Sequence, residues 1–168
     1  YIADPTGRVW EDGKMYIYGS RDESLDYYCS KIYHVLSSSD LKTWELHENS
    51  FNYKESLYAP DAWYKDGKYY LYYDIPNGEE FVAVSDSPVG PFKDGVKIEG
   101  PCQIDPNIFI DDDGQAYYFW GQFFDGGAKG AKMNPDMKTL DWSTYVEALV
   151  TEEEHFFHEG SFVFKRGD

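Results

Sequence analysis

The 168 residues contain only two cysteines, Cys29 and Cys102, too few for a disulfide framework or a cysteine metal cluster. The redox compartment is therefore left open. No apolar run approaches the ~20 residues that a membrane-spanning helix needs. No charged segment followed by an apolar one stands near the start, so no signal peptide is visible, although a chain opening on Tyr1 rather than Met could have lost a leader. Basic residues are scarce, 15 Lys and Arg against 31 Asp and Glu, for a formal charge of −16. Such a balance repels phosphates and argues against nucleic acid or an anionic membrane as partner. No segment sustains a 3.6-residue apolar period, so helix is expected to be scarce. The stretches Gly126–Lys132 and Thr151–His155 read as loop. No nucleotide-binding glycine fingerprint is present, because Gly13 and Gly114 close hairpins rather than open helices. What is abundant is aromatic: 19% of the chain, with 16 Tyr, 11 Phe and 5 Trp, within a 42% hydrophobic content that suffices for one packed core. This composition favours strands and suits sugar-binding surfaces, though core packing alone also accounts for it.

The chain repeats itself, and repeats govern the fold. Ala3-Asp4-Pro5 leads through Asp12-Gly13 to Met15-Tyr16-Ile17-Tyr18; Ala59-Pro60-Asp61 leads through Asp66-Gly67 to Tyr69-Tyr70-Leu71-Tyr72. Ile104-Asp105-Pro106 leads through Asp113-Gly114 to Ala116-Tyr117-Tyr118-Phe119, and His158-Glu159-Gly160 opens a fourth copy that reaches Gly167. The turn glycines lie 54, 47 and 53 residues apart, and a second motif keeps the same beat, with Trp44, Phe92 and Leu140 spaced by 48. Asp-Gly between aromatic runs signals a hairpin. Two hairpins per unit of about 50 residues signal a β-propeller blade. The expected fold is all-β, with blades at about 1–58, 59–103 and 104–157 and the start of a fourth at 158–168. A propeller of so few blades does not close, so the remainder is expected from the rest of a longer chain or from another chain. An open sheet ending here is the plainer alternative.

The first strand of each blade lines a propeller's channel, so residues equally far from the hairpin turn share a depth. Asp4 and Asp105 each lie 9 residues before the turn glycine and Glu159 lies 8 before, whereas Asp61 lies 6 before and breaks the register. Asp-Pro is a common turn opening. Three acids in register ask for more, because gathered carboxylates repel one another. Glycoside hydrolysis uses such a group: one acid protonates the leaving oxygen and another activates water. Trp63 and Trp120 lie on inner-blade segments as candidates to stack on a sugar, with core positions as the alternative from strand alternation. His158 should point away from Glu159, and His34, His47 and His155 lack partners at metal-ligand spacing. Asp111-Asp112-Asp113 reads as an acidic turn rather than a calcium loop.

Ala3-Asp4-Pro5, Tyr58-Ala59-Pro60-Asp61, the run Ile104-Asp105-Pro106-Asn107-Ile108-Phe109-Ile110-Asp111-Asp112-Asp113-Gly114, and Glu159-Gly160-Ser161 together resemble glycoside hydrolase family 43. These are five-bladed β-propeller enzymes that include β-xylosidases, α-L-arabinofuranosidases and arabinanases. The resemblance implies an inverting hydrolase of β-D-xylosides or α-L-arabinofuranosides in plant cell-wall polysaccharide, with oligosaccharide or polysaccharide as partner and no cofactor required. It implies Asp4 as general base, Asp105 as the residue that orients and tunes the acid, and Glu159 as general acid. Tyr58 stands where the family often has Trp and leaves an aromatic wall for the sugar. A family arginine and a channel histidine, sometimes tied to Ca²⁺, have no counterpart in this chain, so no metal ligand is assigned. The 168-residue piece alone is expected to be inactive. A non-catalytic carbohydrate-binding propeller, or a hydrolase of a related five-bladed family, remains the alternative, and the three acids favour the enzyme.

Overall fold

The structure, a computed structural model, describes residues 2–23 and 29–167. Twelve strands form three four-stranded antiparallel sheets, each ordered as in the sequence. The first holds β1 (Ile2–Val9), β2 (Met15–Arg21), β3 (Ile32–Ser38) and β4 (Glu45–Asn52). The second holds β5 (Asp61–Lys65), β6 (Lys68–Asp74), β7 (Glu79–Ser85) and β8 (Lys93–Cys102). The third holds β9 (Asn107–Ile110), β10 (Ala116–Trp120), β11 (Ala128–Met133) and β12 (Leu140–Val150). These are propeller blades, as the repeats predict.

The repeated turn chemistry explains the repeated sheets. Gly13, Gly67 and Gly114 close the inner hairpins at φ 74°, 81° and 82°, a conformation that a Cβ would strain. The outer turns of the first and third sheets also share one device. Asp40 Oδ1 accepts the amide N–H groups of Lys42 and Thr43, and Asp136 Oδ1 those of Lys138 and Thr139. An aspartate that binds the amides two and three residues on makes the tight turn its own side chain stabilises.

Two of the sequence expectations need correction. Gly126–Lys132 is not loop throughout, because Ala128 opens β11. Its small residues hide the strand signal, yet the backbone pairs with β10 on one side and β12 on the other. Within Thr151–His155, Glu152–His155 forms one helical turn, capped by the Thr151 hydroxyl accepting the Glu154 N–H. Residues 159–167 form no ladder. They lie beside β9, where Val163 donates its N–H to Asn107 Oδ1 and Lys165 reaches Asp111 and Asp112.

The aromatic residues fill the gaps between sheets. Tyr16, Tyr18, Tyr33, Phe51, Tyr73 and Phe92 pack between the first and second sheets. Tyr72, Ile98, Ile108, Tyr118, Trp120 and Met137 pack between the second and third. One ion pair crosses all three. Arg8 of β1 gives Asp61 of β5 two bonds to Oδ1 and one to Oδ2, at 2.5–3.1 Å, with both side chains buried. Asp61 also accepts from Asn107 Nδ2 and the Ile108 N–H of β9, and Arg8 donates to the Ile108 carbonyl. Removing one partner strands a buried charge, which costs about 3–5 kcal/mol. Arg8→Met or Asp61→Leu is therefore expected to lower unfolding free energy in denaturant titrations by that amount. The double variant should lose less than the two single losses added together; simple additivity would mean that the pair does not act as a unit.

Candidate active site

Asp4 and Asp105 each precede a proline, and each adopts a positive φ, 46° and 64°. This backbone costs a non-glycine residue about 1–3 kcal/mol and concentrates at functional sites. At Asp4 it coincides with a bulge: Ala3 pairs with Ser20 and Thr6 with Tyr18, leaving Asp4 and Pro5 out of register. A bulge re-aims a side chain out of the ladder. The Ser20 hydroxyl lies 3.3 Å from Asp4 Oδ2 and 3.2 Å from the Ala3 carbonyl, and steadies this turn. Asp105 stands just before β9.

Glu159 arrives from the segment after the helical turn. The Phe123 N–H donates to the His158 carbonyl at 2.7 Å, and the His158 ring stacks on Phe123 with 4.1 Å between centroids. This fixes the backbone immediately before Glu159, so His158 is structural. The next residue, Gly160, has φ 70°, and a Cβ there would stand 3.9 Å from Asp105 Oδ2. That distance leaves room for a Cβ, so it is the left-handed backbone that favours glycine in the turn where the Glu159 segment lies against the Asp105 carboxyl.

Asp4, Asp105 and Glu159 line one open pocket of about 640 Å³, together with Tyr58, Asp61 and Gln122. Burial pushes Asp105 up to about 6, helped by the charges of Glu159 and then Asp4, while the Gly160 N–H works in the opposite direction. Tyr58 is held from both ends of its peptide: its N–H donates to the Asp74 carbonyl, and its own carbonyl accepts the Tyr33 hydroxyl.

The two tryptophans lie elsewhere. Trp63 follows Asp61 by two residues on the same strand face, and its ring covers Arg8, whose guanidinium carbon is 4.4 Å from the centroid. It shields the ion pair rather than facing the pocket. Trp120 shares the buried face of β10 with Tyr118, is 3% exposed, and packs on Trp142 and Tyr145. It is a core residue. His34, His47 and His155 are each engaged locally, with Asn49, Ser37 and Thr151. Among the described residues no three His, Cys, Asp or Glu side chains are grouped to hold a metal ion.

The sequence matches glycosyl hydrolases family 43 over residues 2–168. The chain belongs to this family. It is 37% identical over 165 residues to xylosidase/arabinosidase 43A of Humicola insolens, covering 85% of this chain and 50% of that protein. It is 35% identical over 161 residues to a β-xylosidase of Xylanibacter ruminicola, covering 82% and 50%. The chain thus spans about half the length of the curated relatives it matches. Among solved structures, a GH43_1 enzyme from Xanthomonas citri complexed with xylotriose superposes with a TM-score of 0.81 at 27% identity, covering 99% of this chain and 64% of that one. A β-xylosidase/α-arabinofuranosidase from a compost metagenome, also in complex with xylotriose, gives 0.75 at 32% identity, covering 88% and 58%.

Two further acids in this family 43 chain lie beneath the pocket and escape motif reading. Asp74 and Glu80 are direct cross-strand partners on β6 and β7, and both are completely buried. Among the described residues both Asp74 oxygens and Glu80 Oε1 have no hydrogen-bond partner, while Glu80 Oε2 accepts from the Tyr118 hydroxyl. The Asp105 amide lies near Asp74 without reaching hydrogen-bond geometry. Burial holds both groups well above the usual carboxylate range, with the Asp105 charge adding to the shift at Asp74 and the Asp74 charge at Glu80. The available signal was an acid closing the run Tyr69-Tyr70-Leu71-Tyr72-Tyr73, since a carboxyl seldom follows a buried strand without cause.

A carboxyl group raised on folding keeps protons that the unfolded chain releases near pH 4, so its stabilising contribution is lost as pH rises through the folded value. Glu80→Gln keeps an acceptor for Tyr118 and removes that dependence. The variant is expected to melt higher than the parent at pH 8 and within about 1 °C of it at pH 4. An equal shift at both pH values would show that Glu80 is already ionised in the folded protein.

Proposed function

We propose that the protein is an inverting glycoside hydrolase acting on β-D-xylosides or α-L-arabinofuranosides, and that this chain supplies its acid–base groups. The observation that carries the reading is the convergence of Asp4, Asp105 and Glu159, from three separate repeats, on one open pocket. Asp4 removes a proton from a water as that water's oxygen attacks the anomeric carbon. Glu159 gives its proton to the glycosidic oxygen as the carbon–oxygen bond breaks, and the sugar leaves with its anomeric configuration inverted. Asp105 lies against the Glu159 segment, and its proton is retained to about pH 6. Tyr58 forms an aromatic wall for the sugar ring. The names of the relatives, xylosidase/arabinosidase and β-xylosidase, support the pentose class. The xylotriose held by two structural neighbours supports an oligosaccharide as substrate.

The test is hydrolysis by the complete protein that carries this chain, followed by NMR of the first anomer released. A β-xyloside should give α-xylose first. Release of the β-anomer would exclude inversion, and oligosaccharides bound but left intact would make the protein a binding module. Glu159→Gln should lower kcat on xylobiose by about 10²–10⁴-fold. The loss should be much smaller on a 4-nitrophenyl glycoside, whose leaving group needs little protonation. Near-parental turnover of xylobiose by this variant would remove Glu159 from the acid role.

A further inference from the structure

A sugar ring presents hydroxyl groups that need donors as well as acceptors. The pocket is rich in acceptors, the three carboxyl groups, and in prolines that carry no N–H, namely Pro5, Pro60, Pro76 and Pro106. Two carboxamides line it. Asn107 is held at both ends of its amide, with Nδ2 on Asp61 Oδ2 at 2.7 Å and Oδ1 accepting the Val163 N–H at 3.0 Å. Gln122 is not. Its side chain makes one hydrogen bond among the described residues, from Nε2 to Gln103 Oε1 at 2.8 Å, although Gln122 is only 8% exposed. A carboxamide has two donors and one acceptor oxygen, so one N–H and the oxygen remain for a ligand.

The amide is also preset. Gln103 is anchored through its N–H to the Gly78 carbonyl at 2.8 Å, and the Gln122 carbonyl accepts from Asp125 and Gly127, closing the turn that carries it. The next residue, Phe123, is the one that binds the His158 carbonyl beside Glu159. Gln122 therefore stands on the wall of the proposed acid, the side on which the leaving group departs. We propose that Gln122 is a substrate-binding residue that hydrogen-bonds a hydroxyl of the leaving-group sugar, and that Gln103 is the positioning residue that orients its amide. This rests on the hydrolase reading above and adds a specificity element to it.

The test compares a disaccharide, whose leaving group is a sugar, with an aryl glycoside, whose leaving group has no hydroxyl at that place. Xylobiose and 4-nitrophenyl β-D-xyloside serve, or arabinobiose and the aryl arabinofuranoside if the parent prefers arabinose. In the complete protein, Gln122→Ala should shift the kcat/KM preference for disaccharide over aryl glycoside by about 5- to 10-fold, as the loss of a preset neutral hydrogen bond requires. Gln103→Met should shift it in the same direction by less, and Gln122→Asn, which is shorter by one methylene, should not restore it. Equal losses on the two substrates would overturn the assignment to the leaving side, and no loss on either would overturn binding altogether. An unfolding temperature matched to the parent separates these outcomes from misfolding. A parent inactive on all of these glycosides would instead refute the hydrolase reading.

Discussion

The geometry of the pocket depends on the buried contact between Arg8 and Asp61. Each strand that meets there also carries, or lies next to, a residue of the site. Asp4 is four residues before Arg8 on β1, and Asp105 is two residues before Asn107, which bonds the same carboxylate from β9. Asp61 itself accepts from Arg8, Asn107 and two backbone amides, those of Ala62 and Ile108. A buried ion pair adds little net stability over a well-packed apolar pair, because desolvation offsets the Coulomb attraction. What this one adds is register. The guanidinium fork accepts one carboxylate orientation, and Trp63 and Phe162 flank it with their rings at 4.4 and 5.1 Å. Three sheets that touch mainly through adaptable aromatic packing are thereby fixed relative to one another at the level of the pocket.

The pocket is costly to fold. Asp4 and Asp105 both lie in a backbone region that favours glycine, and Asp74 and Glu80 leave carboxyl oxygens unpaired in the interior. Each feature opposes stability by an amount comparable to a single strong mutation. Among the described residues positive φ also occurs at seven other non-glycine positions, Leu41 and Met137 among them, so the backbone alone does not mark the site. What sets the pocket apart is that two such acids and two buried carboxyl groups lie together there, the pattern expected where residues are held for chemistry rather than for folding.

The fold was legible because its signals are local and recur. Asp-Gly turns, aromatic hairpins and a spacing near 50 residues each identify a blade, and the three sheets begin and end close to where those signals change. The shared distance of Asp4 and Asp105 from their hairpin glycines is local in the same way, whereas Glu159 reaches the pocket on a segment that forms no strand, so counting along a ladder does not account for it. Other features were not local. β11 was hidden because Ala128, Gly130 and Ala131 carry no strand signal of their own, and it is defined by neighbours on both sides. Trp63 and Trp120 were ambiguous because strand alternation fixes a face but not what that face meets. Arg8 could have been noticed as the cation on the Asp4 strand, but its partner lies 53 residues away. Gln122 sits outside every motif and matters only through the loop that folds over it.

The departure of Asp61 from the register has a physical meaning that the pin makes clear. Two repeats read Asp-Pro, and the second reads Pro-Asp. Asp105 stands before its strand and Asp4 in a bulge within β1; in both the following proline offers no N–H to the ladder, the backbone turns to positive φ, and the acid lines the pocket. In Pro-Asp the acid becomes the first ladder residue, pairs with Tyr72 across the hairpin, and directs its carboxyl to Arg8. The second repeat thus holds its acid six residues before the turn glycine rather than nine, where it enters the ladder and becomes the anion that fixes the strands carrying Asp4 and leading from Asp105.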